Sequence, residues 1–328
     1  MNLPWLQDSQ RQFNQQWLAG RQAHAVLLSG SAGLGKLQLA REMAATLLCL
    51  RPLQEETSTQ TSLACGQCRS CQLFRGGAHP DFRLVTFIQK ENSEELKTVI
   101  GVDQVRELIA SMQLTNGLSP RKVALIHPAE ALNRNAANAI LKTLEEPPGE
   151  LVLLLVCNDA SRLPATIRSR CQALHVRPPH PAEAQQWLQQ FAAASPEEAT
   201  LALQAAANSP LRAALLLQQG RVDEFRAVLG QLQRISNDRE QTIAAYDQLF
   251  KLDPQELWHW LAVASAEKLR SSLAAAGGQN LPSGGAGQRH WLGLYQLANR
   301  NRQLLSTSVR KDLLLRDWLI QWTASTSS

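Results

Sequence analysis

Seven consecutive residues, Gly30 to Lys36 (GSAGLGK), carry the strongest chemical signal in this 328-residue chain. They match the pattern G-x-x-x-x-G-K. Glycines at these positions let backbone N–H groups curl around phosphate oxygens, and Lys36 supplies positive charge. The next residue should be Ser or Thr, whose hydroxyl binds Mg2+. It is Leu37, which has no oxygen to offer. The acidic half of a phosphoryl-transfer site should close the following apolar strand. That strand, KVALIH, ends instead in His127-Pro128, and the nearest acid, Glu130, lies past a proline and a turn. The Mg2+ hydroxyl, the Mg2+ carboxylate and the water-activating carboxylate are therefore missing together. Hydrolysis depends on positioning and charge neutralisation by those parts, so the chain is expected not to hydrolyse ATP itself. ATP binding through Gly30, Gly33, Gly35 and Lys36 stays open.

A second constellation is made of sulfur. Cys49 is followed by CGQCRSC, which holds Cys65, Cys68 and Cys71, while Cys157 and Cys171 stand alone. Four thiolates at these spacings suit a closed tetrahedral Zn2+ site with no open coordination position, a structural rather than a catalytic one. The intervening RPLQEETSTQTSLA is polar, and without metal it is expected to be mobile.

The elements that must position these groups alternate in type. Strands are predicted at Ala25 to Gly30, Arg83 to Phe87, Lys122 to His127, Leu151 to Asn158 and Cys171 to Val176. Helices are predicted from Lys36 to Leu48, over GVDQVRELIASM, from Asn135 to Glu145 and within LPATIRSR. Such alternation predicts a parallel sheet covered on both faces. Pro178-Pro179 and His180-Pro181 then break the chain, and everything beyond reads as helix. Ser195 with Glu198 makes a capping box, and Ser209-Pro210 a second helix start. Gly277 to Gln288 reads as a flexible linker. The expected organisation is a mixed fold, α/β plus all-α, in three domains: an α/β domain over 1–177 with the thiolate module inserted, a small helical lid over 178–220 and a helical collar over 221–328.

Composition narrows the class. No run of about 18 apolar residues occurs, so no membrane-spanning helix is predicted. MNLPWLQDSQRQF lacks the basic start, apolar stretch and cleavage site of a secretory signal, which places the chain in the cytoplasm by expectation. A net charge of +5 and a pI near 9.0 are compatible with a polyanionic partner without requiring one.

Several segments then converge. The degenerate phosphate loop, the CGQCRSC cluster, AHPDF (Ala78 to Phe82), GVDQVREL, NAANAILKTLEEPP and LPATIRSRC occur in an order that resembles the bacterial clamp-loader AAA+ proteins over about the first 215 residues. The resemblance implies an AAA+ unit of α/β and lid domains, with the collar joining a hetero-oligomer that contains gamma or tau subunits and delta. It implies a part in loading the sliding clamp onto primed DNA at the replisome. The degraded nucleotide site points to a non-hydrolysing member of that group. Arg170, in Ser169-Arg170-Cys171, resembles an arginine finger acting on a neighbour's ATP site, with Arg168 the local rival. Asn158 and Arg212 fall at two sensor positions of the nucleotide site. Lys97, Thr98, Arg106 and Lys142 match a region that meets duplex DNA through its phosphates. The rival readings are an ATP-hydrolysing gamma-type subunit, a zinc-dependent DNA-binding scaffold, and a scaffold with no catalytic contribution.

Overall fold

The computed structural model describes residues 3–54, 62–89, 95–115, 117–275, 285–305 and 307–324. It divides into two compact units, Met1–His180 and Pro181–Ser328. Part of the polar loop after Cys49 (55–61) and most of the predicted linker (277–284) lie outside the described residues.

The first unit is built on five parallel strands: β1 (Ala25–Ser29), β2 (Phe82–Val85), β3 (Lys122–Ile126), β4 (Leu151–Cys157) and β5 (Gln172–His175). Their order across the sheet is β2-β3-β4-β1-β5. The central strands β3 and β4 are buried along their whole length. That is why they read as unbroken apolar runs rather than as alternating ones. The edge strands β2 and β5 are shorter than predicted, because each ends where its single partner does.

Helices α1 (Gln7–Leu18), α2 (Lys36–Leu48), α3 (Arg69–Arg75), α4 (Val102–Gln113), α5 (Arg134–Glu145) and α6 (Ala165–Arg168) surround the sheet. Alternate residues of β4 (Leu151, Leu153, Leu155, Cys157) join Val105, Leu108 and Met112 of α4 and Ala136, Ile140 and Leu144 of α5 in one core. The intervening Val152, Leu154 and Val156 point to the opposite face. Helix α5 starts where Asn133 Oδ1 accepts from Ala136 N at 2.8 Å, an N-cap that satisfies an orphan donor. The helices α1 and α3 were not among the predicted elements. The first buries a mostly polar face (Ser9, Gln10 and Asn14 beside Phe13), and the second is only seven residues long.

The buried Lys122 shows how tightly this layer is closed. Its ammonium donates to the carbonyls of Ser111 and Met112, each at 3.3 Å, and to that of Leu114, capping the C-terminal end of α4.

The second unit is helical throughout its described residues. Helices α7 (Pro181–Ala192), α8 (Pro196–Ala205) and α9 (Pro210–Gln218) come first. They are followed by α10 (Val222–Asn237), α11 (Thr242–Leu249), α12 (Pro254–Ala275), α13 (Ala286–Leu304) and α14 (Lys311–Ala324). The capping box forms: Ser195 N donates to Glu198 at 2.9 Å and Glu198 N to Ser195 Oγ at 3.2 Å. Ser209 stands at the start of α9 but its buried hydroxyl makes no capping bond. Helix α13 begins at Ala286, so the end of the predicted linker is helix instead. The chain divides three residues after the predicted boundary, and both helical segments belong to one compact unit. His259 of α12 ties them together. Its Nε2 bonds to the carbonyl of Ala205 at the end of α8 (3.0 Å), and its Nδ1 accepts from Arg302 of α13 (3.1 Å).

Candidate functional site

The phosphate loop joins the end of β1 to the start of α2, as predicted. Gly30 has φ +148°, and a Cβ there would stand 2.3 Å from the carbonyl oxygen of Val176, so only glycine fits. Gly35, at φ 87°, is the N-cap of α2. Trp5 Nε1 donates to the Leu34 carbonyl at 2.9 Å and braces the loop from outside.

Lys36 is buried, and its Nζ is engaged within the protein. It donates to the Ser31 carbonyl at 2.6 Å and to Asn158 Oδ1 at 2.9 Å. Asn158 in turn donates through its backbone N (3.0 Å) and its Nδ2 (2.9 Å) to Glu130 Oε1. Burial lowers the Lys36 pKa, and the nearby Cys157 and Glu130 partly oppose that. At the end of β3, His127 is likewise driven towards its neutral form, chiefly by burial. Sequence reasoning missed Glu130 as a member of this cluster. The 3-10 turn Ala129–Ala131 after Pro128 is what carries the carboxylate back to Asn158. The only legible signal was an acid shortly after the strand.

Arg212 lies in the second unit, on α9. Its guanidinium pairs with Glu256 of α12, and Glu256 also lies 3.8 Å from Arg221. Like Lys36, it is satisfied internally.

The four cysteines converge from three places: Cys49 at the end of α2, Cys65 in the following loop, and Cys68 and Cys71 at the start of α3. Their sulfurs all lie within 4.8 Å of one another. Cys49–Cys68 and Cys65–Cys71 are each 3.9 Å apart, and Cys49–Cys71 3.6 Å. Four sulfurs at Zn–S distances near 2.3 Å stand about 3.8 Å apart at tetrahedral angles, so the donor set and its spacing fit Zn2+. Backbone amides already point at three of the sulfurs: Cys65 N to Cys49 and Cys68 N to Cys65, both 3.4 Å, and Cys71 N to Cys68, 3.5 Å. Burial raises the Cys68 pKa, but bonds from the Cys71 and Leu50 backbone and from the Cys71 and Cys65 side chains outweigh it and bring the thiol down to about 6.

AHPDF anchors this module to the sheet. His79 Nδ1 accepts from Asp81 N (3.1 Å), so Nε2 carries the proton and donates to Ser70 Oγ (2.8 Å). Ser70 then donates to the Leu48 carbonyl at 2.6 Å, and Ser119 Oγ does the same at 2.6 Å. The buried Asp81 carboxylate takes three amides, from Gly117 (2.6 Å), Leu118 (2.8 Å) and Ser119 (2.7 Å). Burial opposes its charge, yet these bonds hold its pKa below the usual carboxylate value.

Arg170 follows the short α6 and is about one-third exposed. Its Nε donates to Glu145 Oε1 at 2.8 Å, Nη2 reaches the same oxygen, and Nη1 donates to the Thr166 carbonyl at 3.0 Å. Glu145, the last residue of α5, is a second participant that sequence reasoning did not single out. Arg168 is exposed. Lys97 and Thr98 precede α4, Arg106 lies on its exposed face 3.6 Å from Asp103, and Lys142 is exposed on α5. These four sit on the α4 and α5 side of the first unit.

The model of the family described as "DNA polymerase III, delta subunit" matches residues 6–180. The chain is 33% identical to the DNA polymerase III subunit delta' of Escherichia coli, over 97% of this chain and 94% of that one. It is 46% identical to the subunit delta' of Pseudomonas aeruginosa over 57% of this chain and 53% of that one. The tau subunit of Escherichia coli is 37% identical over 48% of this chain and 22% of its own length. Among solved structures, a gamma subunit-related protein of Thermotoga maritima aligns with a TM-score of 0.52 at 14% identity, covering 97% of this chain and all of that one. That likeness speaks to the fold alone, a parallel sheet with helices.

Proposed function

The chain belongs to the DNA polymerase III delta-prime subunit family of clamp-loader proteins, and on that premise we propose that it is a non-hydrolysing subunit that lends Arg170 to a neighbouring subunit's ATP site. One observation carries this reading. Arg170 is held at the surface in a fixed posture by Glu145 and the Thr166 carbonyl, while the chain's own phosphate loop lacks a Mg2+ hydroxyl at Leu37 and an acid at His127.

The chemistry of such an arginine is electrostatic. During phosphoryl transfer, charge grows on the oxygens of the transferred group. A planar guanidinium, charged at every physiological pH, stabilises that charge if it already points in the right direction. The carboxylate of Glu145 restrains the side chain before the neighbour arrives, so less rotamer freedom is lost on docking. Lys36 in the first unit and Arg212 in the second are each engaged by oxygens of their own unit. This favours a structural role for the loop over tight nucleotide binding through Gly30, Gly33, Gly35, Lys36, Asn158 and Arg212.

Cys49, Cys65, Cys68 and Cys71 would hold Zn2+, which supplies a cross-link and no reactive position. The cross-link would tie Cys65 and the start of α3 to the end of α2. The helical residues 178–220 and 221–328 act as lid and collar. The partners are gamma or tau and delta subunits and, through the assembly, the sliding clamp and primed DNA. Lys97, Thr98, Arg106 and Lys142 meet the DNA phosphates, and the setting is the replisome in the cytoplasm.

The experiment is steady-state ATP hydrolysis by a loader reconstituted from this chain with gamma and delta subunits, in the presence of clamp and primed DNA. Arg170→Ala is compared with wild type after both assemblies are verified by gel filtration. An arginine finger contributes on the order of 10³–10⁵ in rate at the site it serves. Loss of one site's stimulated turnover is expected. Full retention of turnover would make the chain a scaffold without catalytic contribution.

A further inference from the structure

A cleft of about 560 Å3 lies beside the cysteine module, between α2, the end of α3 and β2. Three arginines from three elements face it: Arg41 of α2, Arg75 of α3 and Arg83 of β2. Its apolar part includes Phe74, Phe82 and Leu84, and no carboxylate lines it. None of the three guanidinium groups pairs with an acid among the described residues. Arg75 makes one bond, from Nη2 to the Gly66 carbonyl at 3.1 Å. Arg83 uses only Nη1, on the carbonyls of Pro80 (3.2 Å) and Phe82 (2.9 Å). Each keeps most of its five donors for something else. Asp81, between the lining residues Pro80 and Phe82, is buried and turned towards the three amides of Gly117, Leu118 and Ser119, and Glu42, next to Arg41, accepts from Gln38. Three unpaired cations gathered at one cleft repel one another, and an anionic partner relieves that repulsion.

The shape of the partner follows from the backbone. β2 is the end strand of the sheet. Asp81 and Val85 turn their carbonyls to β3, accepting from Val123 N and His127 N at 2.9 Å each. By alternation along a parallel pair, Leu84 directs its N–H and carbonyl to the outer edge, beside which the described residues place no strand. A free strand edge binds extended peptide through main-chain hydrogen bonds, while flanking side chains set specificity. Nucleic acid offers a backbone N–H only a phosphate acceptor and has no alternating main-chain N–H and carbonyl groups to pair along a strand. The two phenyl rings are also packed edge to face against each other, with centroids 4.9 Å apart, rather than opened as platforms for bases. Arginine, with its planar fork, matches carboxylates and phosphates alike, so the strand edge and the closed ring pair decide between them.

We propose that this cleft is a docking site for an extended acidic peptide segment of a partner protein, which adds alongside β2 and places its carboxylates on Arg41, Arg75 and Arg83. The reading is independent of the role of Arg170, which belongs to a different part of the unit.

The test is fluorescence anisotropy with the full zinc-loaded chain and a fluorescein-labelled decapeptide of alternating Asp and Val. An alternating Lys-Val decapeptide and a ten-nucleotide oligothymidylate serve as competitors. The acidic peptide is expected to bind with a dissociation constant on the order of 10⁻⁵ M and to weaken steeply with added salt. Removing one partly exposed arginine–carboxylate pair costs up to about fivefold. Arg75→Gln with Arg83→Gln should therefore weaken binding by about 2- to 25-fold, and Arg41→Gln, on another element, should weaken it independently. Zinc content and circular dichroism serve as checks that the variants fold. The proposal is overturned if the acidic peptide does not bind, if the double variant binds like wild type, or if the oligothymidylate displaces the peptide at lower concentration than unlabelled peptide does.

Discussion

Replacing Asp81 with Asn changes one buried oxygen to an NH2 group, and the geometry allows the cost to be worked out. One carboxylate oxygen accepts from Gly117 N at 2.6 Å, and the other from Leu118 N at 2.8 Å and Ser119 N at 2.7 Å. An amide keeps one acceptor. The best arrangement puts that oxygen on the Leu118 and Ser119 amides and leaves Gly117 N facing another donor. Two charge-assisted bonds become neutral ones, at about 1 kcal/mol each, and a third is lost, leaving an unpaired donor at about 1–3 kcal/mol. The sum is about 3–5 kcal/mol. His79 accepts from Asp81 N and donates to Ser70 of α3, so the loss should be felt both in the sheet and at the base of the cysteine module. Amide hydrogen exchange read by mass spectrometry on peptides spanning 117–126 would report the opening free energy of this layer. The protection of β3 should fall by the stated amount at pH 7. Acid supplies a second signature. The folded pKa of Asp81 lies below its ordinary value of 3.8, so its stabilisation is complete above that value. It is lost as pH falls from 3.8 through the folded pKa. The gap between wild type and Asp81→Asn should close below pH 4. A change under about 0.5 kcal/mol, or a gap independent of pH, would refute the assignment of Asp81 as the clamp of this loop.

Three further predictions concern other parts of the chain. His259 is held neutral, its pKa lowered to about 4 by burial and by the facing Arg212 and Arg302. The unfolded chain takes up that proton near 6.5, so stability should be full above pH 6.5 and fall by about 3 kcal/mol down to pH 4. Urea midpoints across that range should be flatter in His259→Gln. Lys122→Met removes the single cation satisfying the Ser111, Met112 and Leu114 carbonyls, and should lower the unfolding free energy by about 2–4 kcal/mol in urea titrations. An unchanged midpoint would mean that water replaces the ammonium. Chelation of Zn2+, or Cys68→Ser, should abolish protection from proteolysis across 65–75, with one metal released per chain by colorimetric titration. The sheet should stay protected, since the α4–α5 core lies apart from the thiolates.

The sequence carried most of what is periodic or local. Unbroken apolar runs marked β1, β3 and β4 because those strands are buried on both faces. Glycine spacing marked the phosphate loop because only glycine tolerates the approach to Val176 at Gly30. Cysteine spacing marked the thiolate cage because metal geometry restricts the ligands. The same local reading failed where partners are distant. The 3-10 turn that carries Glu130 to Asn158, the pairing of Glu145 with Arg170 and the pairing of Arg212 with Glu256 join residues 25 to 44 positions apart. The helices α1 and α3 were not predicted for a related reason: one buries a mostly polar face and the other is too short, and both are held by what they pack against. Residue types and their spacing by themselves determined which chemistry the chain retains, a phosphate loop without its acids and a four-thiolate site, because those constraints act through bonds and short loops. Only the tertiary structure decided which charges stay available, since a cation such as Lys36 or Arg212 is free or engaged according to which distant oxygen the fold brings within 3 Å of it, or, for Arg41, Arg75 and Arg83, fails to bring.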